Sequence, residues 1–508
     1  MISSGVSSKT LPMPTLFAAL GMAIAYYGYP LFISIGLGFL LGLFSFLVVI
    51  VSFLRVLCYT PWMSFKSAGI TLILAVAVAA GFSLGIAARR TVPGHAELSF
   101  PPERVRAVSG ILTEDPRSLH GGSGLGVLKL HLSVADDNAR ASARGNLTVF
   151  FPAESIPRLK EFGRGSEIYA DGVYYLGRRG PVFNATSVHI VKPAPALEQF
   201  RTSLRLALLD RFQARQGSSQ RYAEPPVWGS LASALVLGVR DDLDVDLSDG
   251  FRNSGVAYIL ALSGMHLAII SAVLAFLLRR PLGIRYASLV GAIFIIAYVF
   301  VAGSQPSLVR AAIMYLIGTL ALWGFLKKNT LSILSIAFVL QLVFQSQTGI
   351  SLSFILSYTA MAGILVLGQA LRNLSRGRVP EILSGSLSLS LGAFIATSPI
   401  VALFFGSLRP IGILVGLLVV PLTTLFMVLS LAALAAGFLP IPLWDVLNFL
   451  LTYIYRVMEY IVITMGNVPG FTVLNPIPVL VITIILSLLI LYIQKKDEAY
   501  RNNIASFD

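Results

Sequence analysis

Phe251-Arg252-Asn253-Ser254-Gly255-Val256-Ala257-Tyr258-Ile259-Leu260-Ala261-Leu262-Ser263-Gly264-Met265-His266 opens a run that stays apolar until Arg279 and Arg280. From Gly255 to Leu278 it is long and apolar enough to cross a bilayer as a helix, which takes about 20 residues. Its first half nevertheless carries Ser254, Tyr258, Ser263 and His266, groups that lipid tails cannot satisfy. At ~100° per residue, with Ser254 at 0°, Tyr258 falls near ~40°, His266 near ~120° and Ser263 near ~180°. Val256, Leu260 and Leu267 cluster between ~200° and ~240° on the other side. The spacing therefore predicts one helix whose polar half faces a protein interior or a wet cavity. An ionisable residue at that depth marks a functional site.

The rest of the chain has the composition of an integral membrane protein. Of its 508 residues 56% are hydrophobic and only 12% are charged, and the mean hydropathy is +0.80. The formal charge of +14 rests on few side chains, so their placement reports topology first and a polyanionic partner second. A single cysteine, Cys58, excludes an internal disulfide or a cysteine metal cluster. No pair among His95, His120, His131, His189 and His266 has zinc-hydrolase spacing, and no Gly-x-x-x-x-Gly-Lys-Ser/Thr loop occurs. No cofactor or metal is expected.

Residues 1–90 read as three N-terminal spans, over 12–29, 31–54 and 68–88, retained as anchors rather than removed as a signal peptide. Residues 91–195 change texture. Val105–Thr113, Val127–Val134, Leu147–Phe151, Glu167–Tyr175 and Val182–Val191 are β-like, with Leu128, Leu130, Leu132 and Val134 alternating against Lys129, His131 and Ser133. Turns are expected at Gly121-Gly122-Ser123-Gly124, Asp136-Asp137-Asn138 and Arg178-Arg179-Gly180-Pro181. Five strands in about a hundred residues suit an OB-fold-like barrel. Its cations Arg104, Arg106, Lys129, Arg144, Arg164, Arg178 and Arg179 lie among Tyr169, Tyr174 and Tyr175. Such a mixture serves single-strand binding, and it is equally the composition of a solvated barrel surface. Within that set Arg104, Arg106, Lys129, Arg144, Arg164 and Tyr169 are the candidate DNA-binding residues.

Residues 196–224 form a linker, with an amphipathic helix over Leu197–Gln216 that sets Leu204, Leu208 and Phe212 against Arg201, Arg205 and Arg211. Val227–Val239 is apolar but too short to span, and Arg240–Asp249 reads as an acidic loop. Residues 225–498 hold the main bundle. Beyond the opening helix its spans fall near Tyr286–Ala302, Leu308–Phe325, Leu331–Val343, Ile350–Gln369, Ile382–Phe405, Ile411–Phe438, Val446–Met465 and Val479–Gln494. Val446–Met465 contains Arg456 and Glu459 at i, i+3, and an interfacial helix is its alternative. Residues 499–508 form a cytoplasmic tail. Basic loops at Arg279–Arg285, Lys327–Lys328, Arg372–Arg378 and Lys495–Lys496 alternate with uncharged ones, Arg409 excepted. The expected architecture is a polytopic α-helical membrane protein of about 11–12 transmembrane helices with an inserted extracytoplasmic all-β domain. Both termini would be cytoplasmic.

Polar half-helices recur: Arg310 after Ser304-Gln305-Pro306-Ser307, then Ser351, Ser353, Ser357, Tyr358 and Thr359, then Ser384 to Ser390 and Thr397-Ser398-Pro399. Small polar residues also glue helices together, and a helix-end arginine can snorkel. Their recurrence beside Pro and Gly breaks is what a bundle around a wet cavity predicts. Ser263 and His266 at i, i+3 raise a serine hydrolase, which the poor geometry and the lack of a third group argue against.

Leu237-Gly238, then Phe251 to Gly255 and Leu262-Ser263-Gly264-Met265-His266, resemble the signature of the ComEC family of competence proteins. So do Pro306 to Met314, Ser351-Leu352-Ser353-Phe354, and the region from Phe405-Gly406-Ser407 to Pro421-Leu422. The resemblance implies an inner-membrane channel importing single-stranded DNA during natural transformation. Its path would be lined by Ser254, Tyr258, Ser263, Gly264, His266, Arg310, Ser353 and Ser357. It implies as partners single-stranded DNA, the lipid bilayer, an external DNA receptor protein, a cytosolic helicase or single-strand binding protein, and a separate nuclease. The chain departs from the family pattern at Tyr258, where similar proteins often carry histidine, and at Gly416, where asparagine is expected. It also lacks the His-x-His-x-Asp-His of the metallo-β-lactamase-like domain of larger members, so no nuclease activity is expected of it. A small-solute or lipid-linked secondary transporter is the alternative.

Overall fold

The computed structural model describes residues 18–24, 26–27, 96–119, 122–135, 139–177, 180–213, 226–324, 330–376, 380–436 and 441–504. The three N-terminal spans lie outside the described residues except for 18–24 and 26–27, as do the turns expected at Asp136-Asp137-Asn138 and Arg178-Arg179.

Five strands build a small barrel: β1 (Val105–Leu112), β2 (Gly124–Ala135), β3 (Asn146–Phe151), β4 (Glu167–Gly177) and β5 (Gly180–Lys192). β1 pairs antiparallel with β2 and β4, β2 with β3, and β4 with β5; β3 closes the ring by pairing parallel with β5. Helix α1 (Ile156–Phe162) crosses between β3 and β4. The inward residues of each strand, Val108, Leu128, Leu147, Val149, Ile168 and Phe183, form the core. Closure removes the open edges that would otherwise template aggregation.

Helix α2 (Ala196–Gln213) leads to the bundle with its expected face kept at one end and lost at the other: Phe212 and Leu208 pack on the bundle core and Arg211 is exposed, but Arg201 is buried. Arg201 is 0% exposed, while Leu197 and Phe200 are 65% and 62% exposed. The cause is the barrel. Asp115 accepts from the guanidinium groups of both Arg201 and Arg205. Glu198 accepts from Arg201 Nε at 2.8 Å and from Arg164 at 2.8 Å. A buried arginine is tolerated when carboxylates take up its donors.

The bundle follows: α3 (Gly229–Leu237), α4 (Val245–Asn253), α5 (Gly264–Ala302), α6 (Pro306–Leu322), α7 (Thr330–Phe344), α8 (Leu352–Ser375, with a π turn at Ile364–Gly368), α9 (Glu381–Phe405), α10 (Ile411–Ala436), α11 (Ile441–Gly466) and α12 (Pro476–Ile504). Among the described residues six helices are long and apolar enough to cross a membrane; α6 and α7 are shorter apolar helices. The chain is a polytopic membrane protein carrying a small β-barrel. Val446–Met465 falls within α11, one of the six, and Arg456 pairs with Glu459 at 2.7 Å as its spacing predicts. Two-residue strands at Ser407–Leu408 and Phe471–Thr472 pair and tie the α9–α10 turn to the α11–α12 turn.

Two expectations fail here. The acidic segment before the opening stretch is not all loop. Asp244 caps α4 by accepting from the backbone N–H of Asp246 at 2.7 Å and of Leu247 at 3.3 Å, and Leu247 and Phe251 are buried at i, i+4. The opening stretch is not one helix from Gly255 either. Gly255 (φ +80°) ends α4 with a paired turn, Val256 N–H donating to Phe251 O at 3.0 Å and Gly255 N–H to Arg252 O at 3.2 Å. A short 3₁₀ turn at Ala257–Ile259 follows, and helix resumes only at Gly264. Within α5 the chain breaks at Gly283 (φ 71°), just after Pro281, which falls between the spans expected up to Leu278 and from Tyr286.

A shared apolar core joins Trp228, Leu235, Phe251, Val256, Ile259, Val419, Phe426, Leu451 and Met458 from α3, α4, the 256–259 segment, α10 and α11. The short apolar α3 is buried along almost its whole length, as a cap rather than a span.

Candidate functional site

Residues 254–263 interrupt the helical path between α4 and α5, and the polar residues of the site are arranged around that interruption. Gly255 lies so close to the α9–α10 turn that an added Cβ would meet Arg409 O at 2.9 Å. Arg409 donates to Asn253 O at 2.6 Å, so its guanidinium is engaged within the fold. On the far side, Ser307 Oγ donates to Leu262 O at 2.5 Å.

Ser263 is the N-cap of α5 and His266 its N3 residue, in capping-box geometry. The Ser263 backbone N–H donates to His266 Nδ1 at 3.1 Å, and Ser263 Oγ lies 3.0 Å from the same nitrogen. A backbone nitrogen can only donate, so Nδ1 is the acceptor and the ring proton sits on Nε2. That Nε2 is buried and has no hydrogen-bond partner, and neither has Arg310 Nε.

Arg310 reaches from α6 past Gly264. A Cβ added at Gly264 would stand 3.3 Å from its terminal nitrogen, so glycine is what lets α5 and the guanidinium approach. Arg310 donates to Ser357 O, and its Cζ lies 5.7 Å from the centroid of the Tyr358 ring. Tyr358 Oη donates to Gln341 Oε1 at 2.9 Å, and Gln341 Nε2 donates to Pro306 O at 2.9 Å. A polar layer thus runs through α5, α6, α7 and α8. Arg310 is 6% exposed and has no carboxylate partner among the described residues.

The structure therefore gathers Ser263, Gly264, His266, Arg310 and Ser357. Ser357 contributes its carbonyl to Arg310 rather than its hydroxyl. Ser254 stands apart, buried and donating to Phe251 O at 3.3 Å, and Ser353 is exposed. Tyr258 is 55% exposed on the 3₁₀ turn and its phenol oxygen lies 2.7 Å from where a Cβ at Gly416 would stand. Gln341 was missed by sequence reasoning, although a lone amide inside an apolar helix is the signal that finds it.

On the barrel, Arg104, Arg106, Lys129 and Arg144 are exposed and Tyr169 is half-buried. Lys129 is opposite Ile111 and Asn146, Tyr169 opposite Ser109 and His189. The same surface carries Glu167, which pairs with His131 at 3.2 Å and Lys192 at 3.2 Å. Arg164 is not with them; it sits at the barrel end nearest α2, held by Glu198. Burial alone would raise the Asp115 carboxyl. Its hydrogen bond from Arg201 and the charges of Arg205 and Arg201 outweigh that and hold it below the usual aspartate range. Among the described residues no three His, Cys, Asp or Glu side chains gather as a metal ion would need.

A family model described as Competence protein matches residues 235–496, just over half of the chain. The chain belongs to the competence protein family. ComE operon protein 3 of Bacillus subtilis (strain 168) is 28% identical over 294 residues, 54% of this chain and 35% of that protein. An uncharacterized protein of Aquifex aeolicus (strain VF5) is 28% identical over 219 residues, 43% of this chain and 50% of the relative. The chain thus matches half or less of the length of these relatives. The competence family match begins in α3 and ends within α12. It encloses the interrupted segment and the polar layer, and leaves the barrel outside.

Proposed function

We propose that this protein is the inner-membrane path by which single-stranded DNA is imported during natural transformation. The interrupted 254–263 segment carries the reading. Non-helical backbone at membrane depth is tolerated only where it is buried in protein or lines a water-filled cavity. Half-helix N-termini at such breaks attract anions. Here the breaks before α5 and α6 present two unpartnered buried donors, His266 Nε2 and Arg310 Nε, and an uncompensated cation. A phosphodiester backbone supplies the acceptors and the charge that such a site lacks. Membership of the competence family agrees with this substrate.

In this reading the barrel is extracytoplasmic and of the OB type. Its support is the ring of five strands with a parallel β3–β5 closure and a helix between β3 and β4. An external receptor protein would deliver the strand, and a cytosolic helicase or single-strand binding protein would draw it inward. A separate nuclease would degrade the complementary strand. The tied Gln341–Tyr358–Arg310 layer must part for the strand to pass.

The test is import of fluorescent DNA in a strain deleted for this chain. Accumulation in the periplasm with none in the cytoplasm, restored by the wild-type gene, is the expected result. Undiminished cytoplasmic DNA in the deletion strain overturns the reading.

A further inference from the structure

The polar layer lies inside the bundle and the candidate strand-binding surface lies on the barrel, so an imported strand needs a foothold between them. Among the described cations one stands at that boundary without a partner. Arg240 follows α3, two residues after Gly238 and one before Asp241. Both neighbours are fixed, in opposite directions. Gly238 (φ +71°) packs on the interrupted segment: an added Cβ there would overlap Leu262 Cδ1 at 2.5 Å and meet Gln305 Nε2, on the N-cap of α6, at 3.3 Å. Asp241 is held by Lys160 of the barrel helix α1 at 2.5 Å. Arg240 is thereby pinned between the turn that carries Ser263 and the barrel.

Its side chain is exposed and makes no ion pair with any carboxylate among the described residues. The acids around it are already engaged, Asp241 by Lys160 and Asp115 by Arg201 and Arg205. The charge that acts on it is that of Arg117 at the barrel end. Arg117 itself makes only a 3.4 Å ion pair with Glu114, both side chains being more than half exposed, a pair of little strength. Two guanidinium charges that act on each other at a domain junction repel unless an anion comes between them.

We infer that Arg240, at the junction where Gly238 packs on the interrupted segment and Asp241 on the barrel, is a phosphodiester-binding step that passes a single strand from the barrel to the His266–Arg310 layer. The inference rests on the proposed DNA path and adds to it a cation on neither of its two surfaces. The contact is to the backbone and not to a base, because an arginine with no aromatic partner among the described residues reads charge rather than sequence.

The experiment uses the full chain purified in detergent and fluorescein-labelled oligothymidine, with anisotropy read over a salt series. Arg240→Gln and Arg117→Gln are compared with wild type, and Arg240→Lys serves as the charge-preserving control. Loss of one phosphate contact is expected to weaken binding by the same factor on oligothymidine and on a mixed sequence. It should also reduce the salt slope by about 0.7, with the slope kept in Arg240→Lys. Wild-type slope and affinity in Arg240→Gln overturn the inference while leaving the DNA path standing. Absence of salt-dependent binding by the wild-type chain overturns the DNA path itself. An exposed, unpaired side chain is dispensable for folding, so an unchanged melting temperature accompanies the expected result.

Discussion

The Ser263 backbone N–H donates to His266 Nδ1 at 3.1 Å, and this single bond assigns both residues. It closes the first turn of α5 and directs the ring proton, on Nε2, towards the interior. Glutamine also serves at N3 of a capping box. His266→Gln should therefore keep the cap and the melting temperature, whereas His266→Ala loses about 1 kcal/mol. His266→Ala should abolish DNA uptake because it removes the Nε2 donor, while His266→Gln keeps both a cap acceptor and an amide N–H donor and should retain part of it. Uptake that survives in His266→Ala makes the Nε2 donor dispensable and leaves the histidine a capping residue. A fluorophosphonate probe should leave Ser263 unlabelled, since Nδ1 is already occupied by the backbone and Nε2 has no orienting acid.

Arg310 is a buried cation whose charge is met by a carbonyl and a ring, not by a carboxylate. Replacing a poorly compensated buried charge by an apolar side chain of similar length is often neutral or stabilising by roughly 1–4 kcal/mol. Arg310→Met is expected to melt at or above the wild-type temperature and to import no DNA. A variant that melts well below wild type would make Arg310 a structural residue. Arg310→Lys is expected not to restore uptake, because the ammonium gathers its donors on one nitrogen and lacks the separate Nε–H of the planar guanidinium.

The mounting of the barrel should be acid-sensitive. The folded-state carboxyl of Asp115 lies below its unfolded value, so its contribution is complete above about pH 4. It is lost as pH falls through the lower folded value. Asp115→Asn leaves the buried Arg201 with Glu198 as its one carboxylate partner among the described residues, takes the carboxylate from Arg205 as well, and should cost about 3 kcal/mol at neutral pH. That is the lower end of the usual range, because the Asp115 side chain is 27% exposed. The variant should also lose part of the wild type's decline in melting temperature below about pH 4. A variant with wild-type stability at neutral pH would mean that the Arg201–Asp115 pair does not hold the barrel.

Long apolar runs are legible from residues alone because a bilayer demands length and little else, and α9, α10 and α12 start within a few residues of where hydropathy puts them. The barrel strands are legible because one buried face imposes alternation. The burial of Arg201 on α2 was not, since the carboxylate that holds it, Asp115, is 86 residues away in sequence. Nor was the break after Gly255: an apolar composition does not distinguish a continuous span from a turn capped at Ser263. That error placed Ser254 on the same helix face as His266, whereas it closes the preceding helix. Ser263, Gly264, His266 and Arg310 survive together because their grouping does not depend on where the helix begins.

Tyr258 and Gly416 were two separate departures in the sequence, and the fold makes them one. The phenol oxygen stands 2.7 Å from the Cβ that any other residue would place at position 416. Real Cβ atoms essentially never come within 3.0 Å of another heavy atom, so Gly416→Ala must displace Tyr258 or α10 and should cost about 1–3 kcal/mol. Trimming the ring removes the obstacle: Gly416→Ala in a Tyr258→Ala background should cost much less, giving a coupling of opposite sign to the single loss. Additive losses in that double-mutant cycle would mean that the ring does not occupy the space at 416. The same cycle read by DNA uptake separates packing from function. If Tyr258 stacks on the passing strand from its exposed turn, Tyr258→Ala Gly416→Ala recovers stability without recovering import.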